Sequence, residues 1–304
     1  MTAPDELRIA LATLRSLPGF ATVGGDIQRL GGLTNRVYRV EDMVLRLPGK
    51  GTEEIINRAH EAEMAQITAK AGVSPDVLYV DPKSGIMVTR LVAGAVTMTP
   101  DRFRTSKGAP ARAGKAFRKL HSCGSVFPFR FDLFTMIDQY LAVLATKDVA
   151  LPAGYHDVVA EAQKIRAAQD AHPVALVPCH CDPLCENFLD TGTRMWIVDW
   201  EYAGMNDPMW DLGDLAVEGG FSEVQDHEML AAYFGGPASA FDHGRMVIYK
   251  ALCDLLWTLW GLIQLANGNS ADDFRAYADG RFARCRGLVA TAVFWRHVDA
   301  VAKG

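Results

Sequence analysis

Positive charge is in short supply. Thirty-one Lys and Arg face 36 Asp and Glu, a net charge of −5 over 304 residues, the wrong sign to hold a polyphosphate backbone by bulk electrostatics. A nucleic-acid partner is therefore not expected. Cysteine is sparse, at six in the chain, and the opening Met1-Thr-Ala-Pro-Asp-Glu6 has no basic stretch leading into an apolar one, so a reducing, cytoplasmic setting is expected. No apolar run reaches membrane length: the strongest, Leu255 to Leu265, is about half a span and is bounded by Asp254 and Asn267. It reads as a core helix, without membrane insertion. Internal repeats, low-complexity tracts and Gly/Ser linkers are missing too, which excludes solenoids and loosely tethered modules. A G-x₄-G-K-[ST] loop is absent, and with it a P-loop nucleotide site. What remains, 49% apolar and 22% charged, is a globular chain long enough for two domains or one two-lobed one.

The pattern changes character along the chain. Asp5 to Leu14 places Leu7, Ala10, Leu11 and Leu14 at helical spacing before Pro18 and Gly19, a short lead-in helix. Ile27 to Leu47 holds three short β-rich runs joined by Gly31-Gly32-Leu-Thr-Asn-Arg36 and Glu41-Asp42, which predicts a three-stranded antiparallel meander. Thr52 to Ala71 predicts a long helix laid over that sheet, ended by Gly72 and Pro75. Val77 to Val80 and Ile86 to Val92 return to strand character around Asp81-Pro-Lys-Ser-Gly85. Beyond Gly94 the composition is helical, for example in Arg112 to Ser122, Leu133 to Ala145, His156 to Ala171, Glu228 to Phe234, Gly244 to Ala266 and Asp272 to Thr291. Two apolar runs interrupt it, Val174 to Val177 with Phe188-Leu189, and Met195 to Val198, as short strands flanking a polar loop. The expected architecture is α+β, a small antiparallel β lobe with one long helix over residues 1–92 and a larger, mainly helical lobe over 93–304. A cleft between two such lobes is the expected ligand site.

The polar loop reads His180-Cys181-Asp182-Pro-Leu-Cys-Glu-Asn187, and Asp199-Trp-Glu201 follows the next strand. Phosphoryl transfer needs a carboxylate to orient and deprotonate an attacking hydroxyl, and an amide oxygen with a second carboxylate to hold Mg²⁺ on the nucleotide phosphates. Asp182, Asn187 and Asp199 fit those roles in that order. A structural zinc site at His180 with Cys179, Cys181 and Cys185 would need a second cysteine pair that the chain lacks.

The spacing Asp-x₄-Asn, an apolar strand, then Asp resembles the catalytic and metal-binding loops of protein kinases and of aminoglycoside phosphotransferase and choline kinase relatives. Cys181 and Glu186 depart from that pattern, which often has Asn or Gly at the first position and Gly at the second; the three chemical positions are untouched. The resemblance implies a two-lobed protein-kinase-like fold, ATP and Mg²⁺ as cofactors, and a phosphate-facing first turn. There Gly32 permits close approach and Thr34 and Asn35 add side-chain donors. Arg46, on the third predicted strand, stands where protein kinases place a phosphate-binding Lys, and choline kinase relatives often have Arg there. Its carboxylate partner is either Glu61 or Glu63. A helical wheel centred on Ile56, Ile67 and Ala71 turns Glu63 toward the sheet, whereas Arg58-x-x-Glu61, fourteen residues before Pro75, matches the family spacing and favours Glu61.

Trp257 and Trp260 lie one helical turn apart, and Phe274 with Tyr277 repeats the spacing. The string Leu256 to Gln264 followed by Phe274 to Phe282 closely resembles the C-terminal segment of choline and ethanolamine kinases. In that family the Trp pair and the Tyr wall a quaternary ammonium pocket, and Glu218, in Asp211-Leu-Gly-Asp-Leu-Ala-Val-Glu218, matches an acidic residue of the pocket. A trimethylammonium has no N–H to donate, so aromatic faces suit it. The resemblance, which includes Leu120-His121, thus implies an ATP-dependent kinase of a small amino alcohol, choline first, with substrate contacts from Asp182, Glu218, Trp257, Trp260 and Tyr277. An aminoglycoside or other small-hydroxyl phosphotransferase would want an acidic, polar pocket in place of the Trp pair. A non-catalytic choline-binding relative would not need Asp182, Asn187 and Asp199 together.

Overall fold

Strand periodicity decides what each face of the N-terminal sheet carries. The structure, a computed structural model, describes residues 3–31, 35–49 and 56–304. Helix α1 (Ala3–Ser16) precedes β1 (Ile27–Gly31), β2 (Arg36–Val40) and β3 (Met43–Leu47). The antiparallel register pairs Tyr38 with Leu45 and Val40 with Met43. Side chains two apart share a face, so Tyr38, Val40, Met43, Leu45 and Leu47 point one way and form a buried core with Ala10 and Leu14 of α1 and Leu17 and Phe20 just after it. The intervening Arg46 is thereby sent to the opposite face. Helix α2 (Arg58–Lys70), β4 (Val77–Val80) and β5 (Met87–Arg90) follow. The sheet runs β1-β2-β3-β5-β4, the expected meander extended by two strands.

Helix α2 begins where Asn57 accepts from the N–H groups of Ala59 and His60. Ile56 precedes that cap and is not helical. The part of the expected helix before it, residues 52–55, lies outside the described residues. The buried face is Glu61, Ala62, Met64, Ala65 and Thr68, while Glu63 is exposed. The wheel that favoured Glu63 is corrected: it took Ile56 as a helical position.

Next come β6 (Val96–Thr97), α3 (Pro100–Thr105), α4 (Ala109–His121), α5 (Leu133–Leu144), α6 (Tyr155–Ala171), β7 (Val177–Cys179), a 3₁₀ turn (Cys185–Asn187), β8 (Phe188–Asp190), β9 (Met195–Ile197) and β10 (Gly204–Asn206). Five helices close the chain: α7 (Pro208–Glu218), α8 (Glu223–Phe234), α9 (Ala240–Ala266), α10 (Phe274–Val289) and α11 (Ala292–Lys303). The expected strand at Val174 to Val177 begins only at Val177, and its partner is β10, not the Phe188 run. That run forms its own hairpin with β9 and also pairs with β6.

By packing the chain forms two compact units, Met1–Thr97 with Asn187–Ala203, and Met98–Glu186 with Gly204–Gly304. A single cut after residue 92 therefore does not describe the packing. The β8–β9 hairpin returns to the first unit through its pairing with β6 and through Ile197, whose N–H donates to the Val73 carbonyl at 3.1 Å and whose carbonyl accepts from Ser74 at 2.7 Å. The second unit is helical around α9, against which α5, α6, α7, α10 and α11 pack. That helix is 27 residues, long and apolar enough to cross a membrane, yet 83% of its most apolar window is buried inside the protein. The core-helix reading of Leu255 to Leu265 holds within a longer element.

Candidate functional site

In the first unit the charge cluster is built on Arg46. Its guanidinium pairs with Glu61 and lies 3.0 Å from Asp199. Arg58 reaches Glu61 at 2.8 Å and Glu201 at 3.5 Å, and Asn35 donates to Glu201 at 3.3 Å. Gly85, at φ +71°, turns the chain where a Cβ would meet the Arg58 side chain at 2.8 Å. Glu61 is 2% exposed; burial raises its pKa, but Arg46 and then Arg58 outweigh burial and hold it below the usual carboxylate range. Glu201 lacks that dominance: burial, with Asp199 and Glu61 adding repulsion, pushes it up to about 8. Among the described residues, Arg46 Nε and Nη2 are buried with no hydrogen-bond partner, as is Asn35 Oδ1. A buried guanidinium with two unused donors is costly unless an anion satisfies them.

The residues expected to hold Mg²⁺ meet at one end of the β8–β9 hairpin. Phe188 pairs with Ile197, and Val198 N–H donates to the Asn187 carbonyl at 2.9 Å, which leaves Asp199 one step beyond. Asp199 sits at φ +70°, a conformation that costs a non-glycine residue about 1–2 kcal/mol. Carboxylate oxygens of Glu61, Asp199 and Glu201 lie within 4.8 Å of one another, a hard-oxygen set that suits Mg²⁺.

In the second unit the polar loop is held by its backbone. Asp211, at the start of α7, accepts from His180 N–H at 2.7 Å and Cys181 N–H at 2.8 Å, and its Oδ2 bonds His121 Nε2 at 3.0 Å. Trp210 donates to the Cys181 carbonyl at 3.0 Å, and Asp182 N–H donates to His180 Nδ1 at 3.3 Å. His180 is fully buried, and its ring accepts within the loop itself. Cys181 adopts φ +68°, which explains why the resembling families favour Asn or Gly there.

Asp182 joins an aromatic and acidic group. Tyr277 is raised by burial first, Arg281 opposes, and Glu218, Asp182 and Asp214 add; Tyr140 on α5 is likewise raised by burial and then by Asp182. Trp260, Phe274 and Tyr277 form an edge-to-face cluster, with centroids 5.7 Å apart from Trp260 to each partner. Trp257 separates from them in character. It is 3% exposed, tilts against Phe131 and donates Nε1–H to Asp214 at 3.2 Å. Glu218 is paired with Arg281, and lies 3.4 Å from Arg284. Arg281 also stacks over Tyr277 at 4.6 Å.

Of the residues expected from sequence, Asn35, Arg46, Glu61 and Asp199 come together in the first unit, with Asn187 beside Asp199. Asp182, Glu218 and Tyr277 share an electrostatic neighbourhood in the second, and Trp260 packs on Tyr277. Gly32 and Thr34 lie outside the described residues. Sequence reasoning missed Glu201, Asp214, Tyr140, Arg281 and Asp254, which pairs with Arg281 at 3.2 Å and Arg284 at 2.6 Å. Two of these had a signal: Asp214 precedes Glu218, and Tyr277 precedes Arg281, by one helical turn.

Residues 26–247 match the family model described as phosphotransferase enzyme family. A crystal structure of a choline/ethanolamine kinase family protein from Mesorhizobium loti is 64% identical with a TM-score of 0.93, covering 100% of both chains. The choline kinase LicA from Streptococcus pneumoniae is 25% identical with a TM-score of 0.79, over 94% of this chain and 100% of that one. Ethanolamine kinase 2 of Mus musculus is 26% identical over 83% of this chain and 72% of its own length. The small antiparallel sheet and the larger helical part match the protein-kinase-like architecture of these neighbours, and the chain belongs to the phosphotransferase enzyme family and, within it, to the choline/ethanolamine kinase family.

Proposed function

We propose that the protein transfers the terminal phosphoryl group of ATP to the hydroxyl of a small amino alcohol, choline first and ethanolamine second. The observation that carries the substrate class is the aromatic cluster of Trp260, Phe274 and Tyr277 in the same unit as Asp182 and Glu218. Aromatic faces and carboxylates together suit an organic cation better than a polyhydroxylated sugar. At Tyr277 the carboxylates of Glu218, Asp182 and Asp214 oppose the guanidinium of Arg281. Asp182 accepts the substrate hydroxyl proton as its oxygen attacks the γ-phosphorus and ADP leaves. The unused Arg46 nitrogens support a role in gripping nucleotide phosphate oxygens, with Glu61 fixing the guanidinium. Asn187 and Asp199 would hold Mg²⁺, which supplies charge neutralisation on the phosphates when bound. All six cysteines are free thiols, in keeping with a reducing cytoplasm.

The test is ADP release measured across choline, ethanolamine, its N-methylated forms and an aminoglycoside panel, with wild type and Asp182→Asn. The expected ranking puts choline first and aminoglycosides at background, and Asp182→Asn loses about a hundredfold or more in kcat with little change in the ATP KM. An aminoglycoside in first place would overturn the substrate class. A variant with most of its turnover would remove Asp182 from the role of base.

A further inference from the structure

A cation of the protein's own already stands among the aromatic and acidic groups of the second unit. Arg281 follows Tyr277 by one turn of α10, so its side chain reaches back over that ring, with the guanidinium 4.6 Å from the centroid. The edge of the same ring is seated against α9 at Gly261, where a Cβ would meet Tyr277 Cδ1 at 2.6 Å. The guanidinium also pairs with Glu218, the last residue of α7, and lies 3.2 Å from Asp254 of α9. Arg284 reaches Asp254 at 2.6 Å and Glu218 at 3.4 Å. Both guanidiniums meet the same Glu218 oxygen, Oε1.

We propose that Arg281 is a specificity-determining residue: by engaging Glu218 it withholds from the substrate the carboxylate that a primary ammonium needs, and so favours a fully methylated ammonium. This rests on the amino-alcohol kinase reading above. Burial separates the parts played. Arg281 is 6% exposed, whereas Tyr277, Glu218 and Trp260 each keep a partly exposed surface, so a ligand arriving from solvent meets those three before it meets Arg281. The two candidate cations differ in what they ask of a carboxylate. An ethanolammonium brings three N–H donors and closes on an oxygen to about 2.7–2.9 Å. Choline has no N–H, and its methyl groups hold the nitrogen further off, where the Coulomb attraction is weaker and aromatic faces supply most of the binding. An unpaired Glu218 would therefore reward ethanolamine more than choline. Paired with two guanidiniums it rewards both little, and the rings of Trp260, Phe274 and Tyr277 decide.

The neighbouring acids do not replace the charge that Arg281 takes. Asp214, one turn before Glu218 on α7, is pushed up to about 8 by burial and then by Glu218, so near neutrality it is mostly uncharged, and it accepts from Trp257. Asp182 serves the hydroxyl end of the substrate in the reading above. Glu218 is also the group that matters most to Arg281: burial opposes the guanidinium charge, and Glu218 leads those that restore it, ahead of Tyr277, Asp254 and Asp214. Asp254 does not depend on Arg281 alone, since Arg284 donates to both of its oxygens at 2.6 Å. Removing the Arg281 guanidinium therefore releases Glu218, which keeps only the longer contact to Arg284, more than it strands Asp254.

The experiment measures ADP release with choline and with ethanolamine on one preparation of each full-length variant, so that the folded fraction cancels from the ratio of the two kcat/KM values. Wild type should favour choline. Arg281→Met should lower the choline-to-ethanolamine ratio about tenfold or more, chiefly by lowering the ethanolamine KM, whereas Arg281→Lys, which keeps a cation on Glu218, should stay within about threefold of wild type. In a Glu218→Gln background Arg281→Met should leave the ratio unchanged, since the effect runs through that carboxylate. If Arg281→Met does not fold, Arg284→Gln, at a side chain 40% exposed, should shift the ratio in the same direction by less. A wild-type preference for ethanolamine, an unchanged ratio in the variants, or an equal shift in the Glu218→Gln background would overturn the assignment of Arg281 and leave the kinase reading intact. An aminoglycoside turned over ahead of both would overturn that reading instead.

Discussion

Arg46 uses the nitrogens of its guanidinium unequally. Its Nη1 pairs with Glu61 and Asp199, while Nε and Nη2 have no partner among the described residues. Removing it should therefore do two separable things. Arg46→Met leaves the buried Glu61 carboxylate with Arg58 as its remaining guanidinium partner, at a cost of about 1–3 kcal/mol, and also weakens nucleotide binding about tenfold or more. Adding Glu61→Leu should restore most of the lost Tm without restoring nucleotide affinity. Thermal melting and nucleotide titration of the single and double variants check this; recovery of both in the double variant would mean that Arg46 acts only through Glu61. Much of this was legible in sequence, because strand alternation alone sends Arg46 away from the Leu45 and Leu47 face. Glu201 was not, because its carboxylate lies 143 residues beyond the Arg58 that it meets, a distance no local period reports.

At the scale of elements, α9 separates the two tryptophans that sequence treated as one pair. Trp257 is buried and tethered to Asp214, whereas Trp260 lies half-buried against Tyr277 and Phe274. Trp257→Ala should cost about 3–5 kcal/mol and lower the Tm markedly. Trp260→Ala should leave the Tm nearly intact and raise the choline KM about tenfold or more while the ATP KM changes by less than about threefold. Equal Tm losses in the two variants, with no change in either KM, would make both rings structural. A one-turn spacing places residues on one side of a helix but does not say how deeply each is covered. The meander and the core of α9 were readable because their periods are strong. Helix α7 was not singled out within the helical region, although Asp207 caps it and Pro208 opens it, because polar Asp211 and Asp214 interrupt its apolar stripe. Helix α11 was not separated because Thr291, its N-cap, read as the end of α10.

Across the whole molecule, stability should depend on pH through one deeply buried acid. Asp214 is 1% exposed, and burial, then Glu218, pushes it up to about 8 against the opposing pull of Arg281 and the hydrogen bonds of Trp257 and Cys253. A carboxyl whose folded pKa lies above its unfolded value binds a proton on folding. Its contribution is therefore complete below about pH 4 and is lost as the pH rises through about 8. Asp214→Asn cannot ionise, so its Tm should gain on that of wild type steadily between pH 5 and 9. Parallel Tm profiles would show that Asp214 does not titrate in this window.

The hub at Asp211 has a consequence for how such a loop can change over time. His180 and Cys181 are held through backbone N–H groups, which every amino acid except proline supplies. The instruction for the loop's shape is thus stored about thirty positions downstream, on a helix, and the side chains between His180 and Asn187 are released from the task of shaping it. Drift at Cys181 or Glu186 can then erase a recognisable motif while the working geometry persists. Cys181→Asn and Cys181→Gly should both be tolerated with turnover near that of wild type, whereas Cys181→Val, β-branched at a left-handed position, should lower both Tm and kcat.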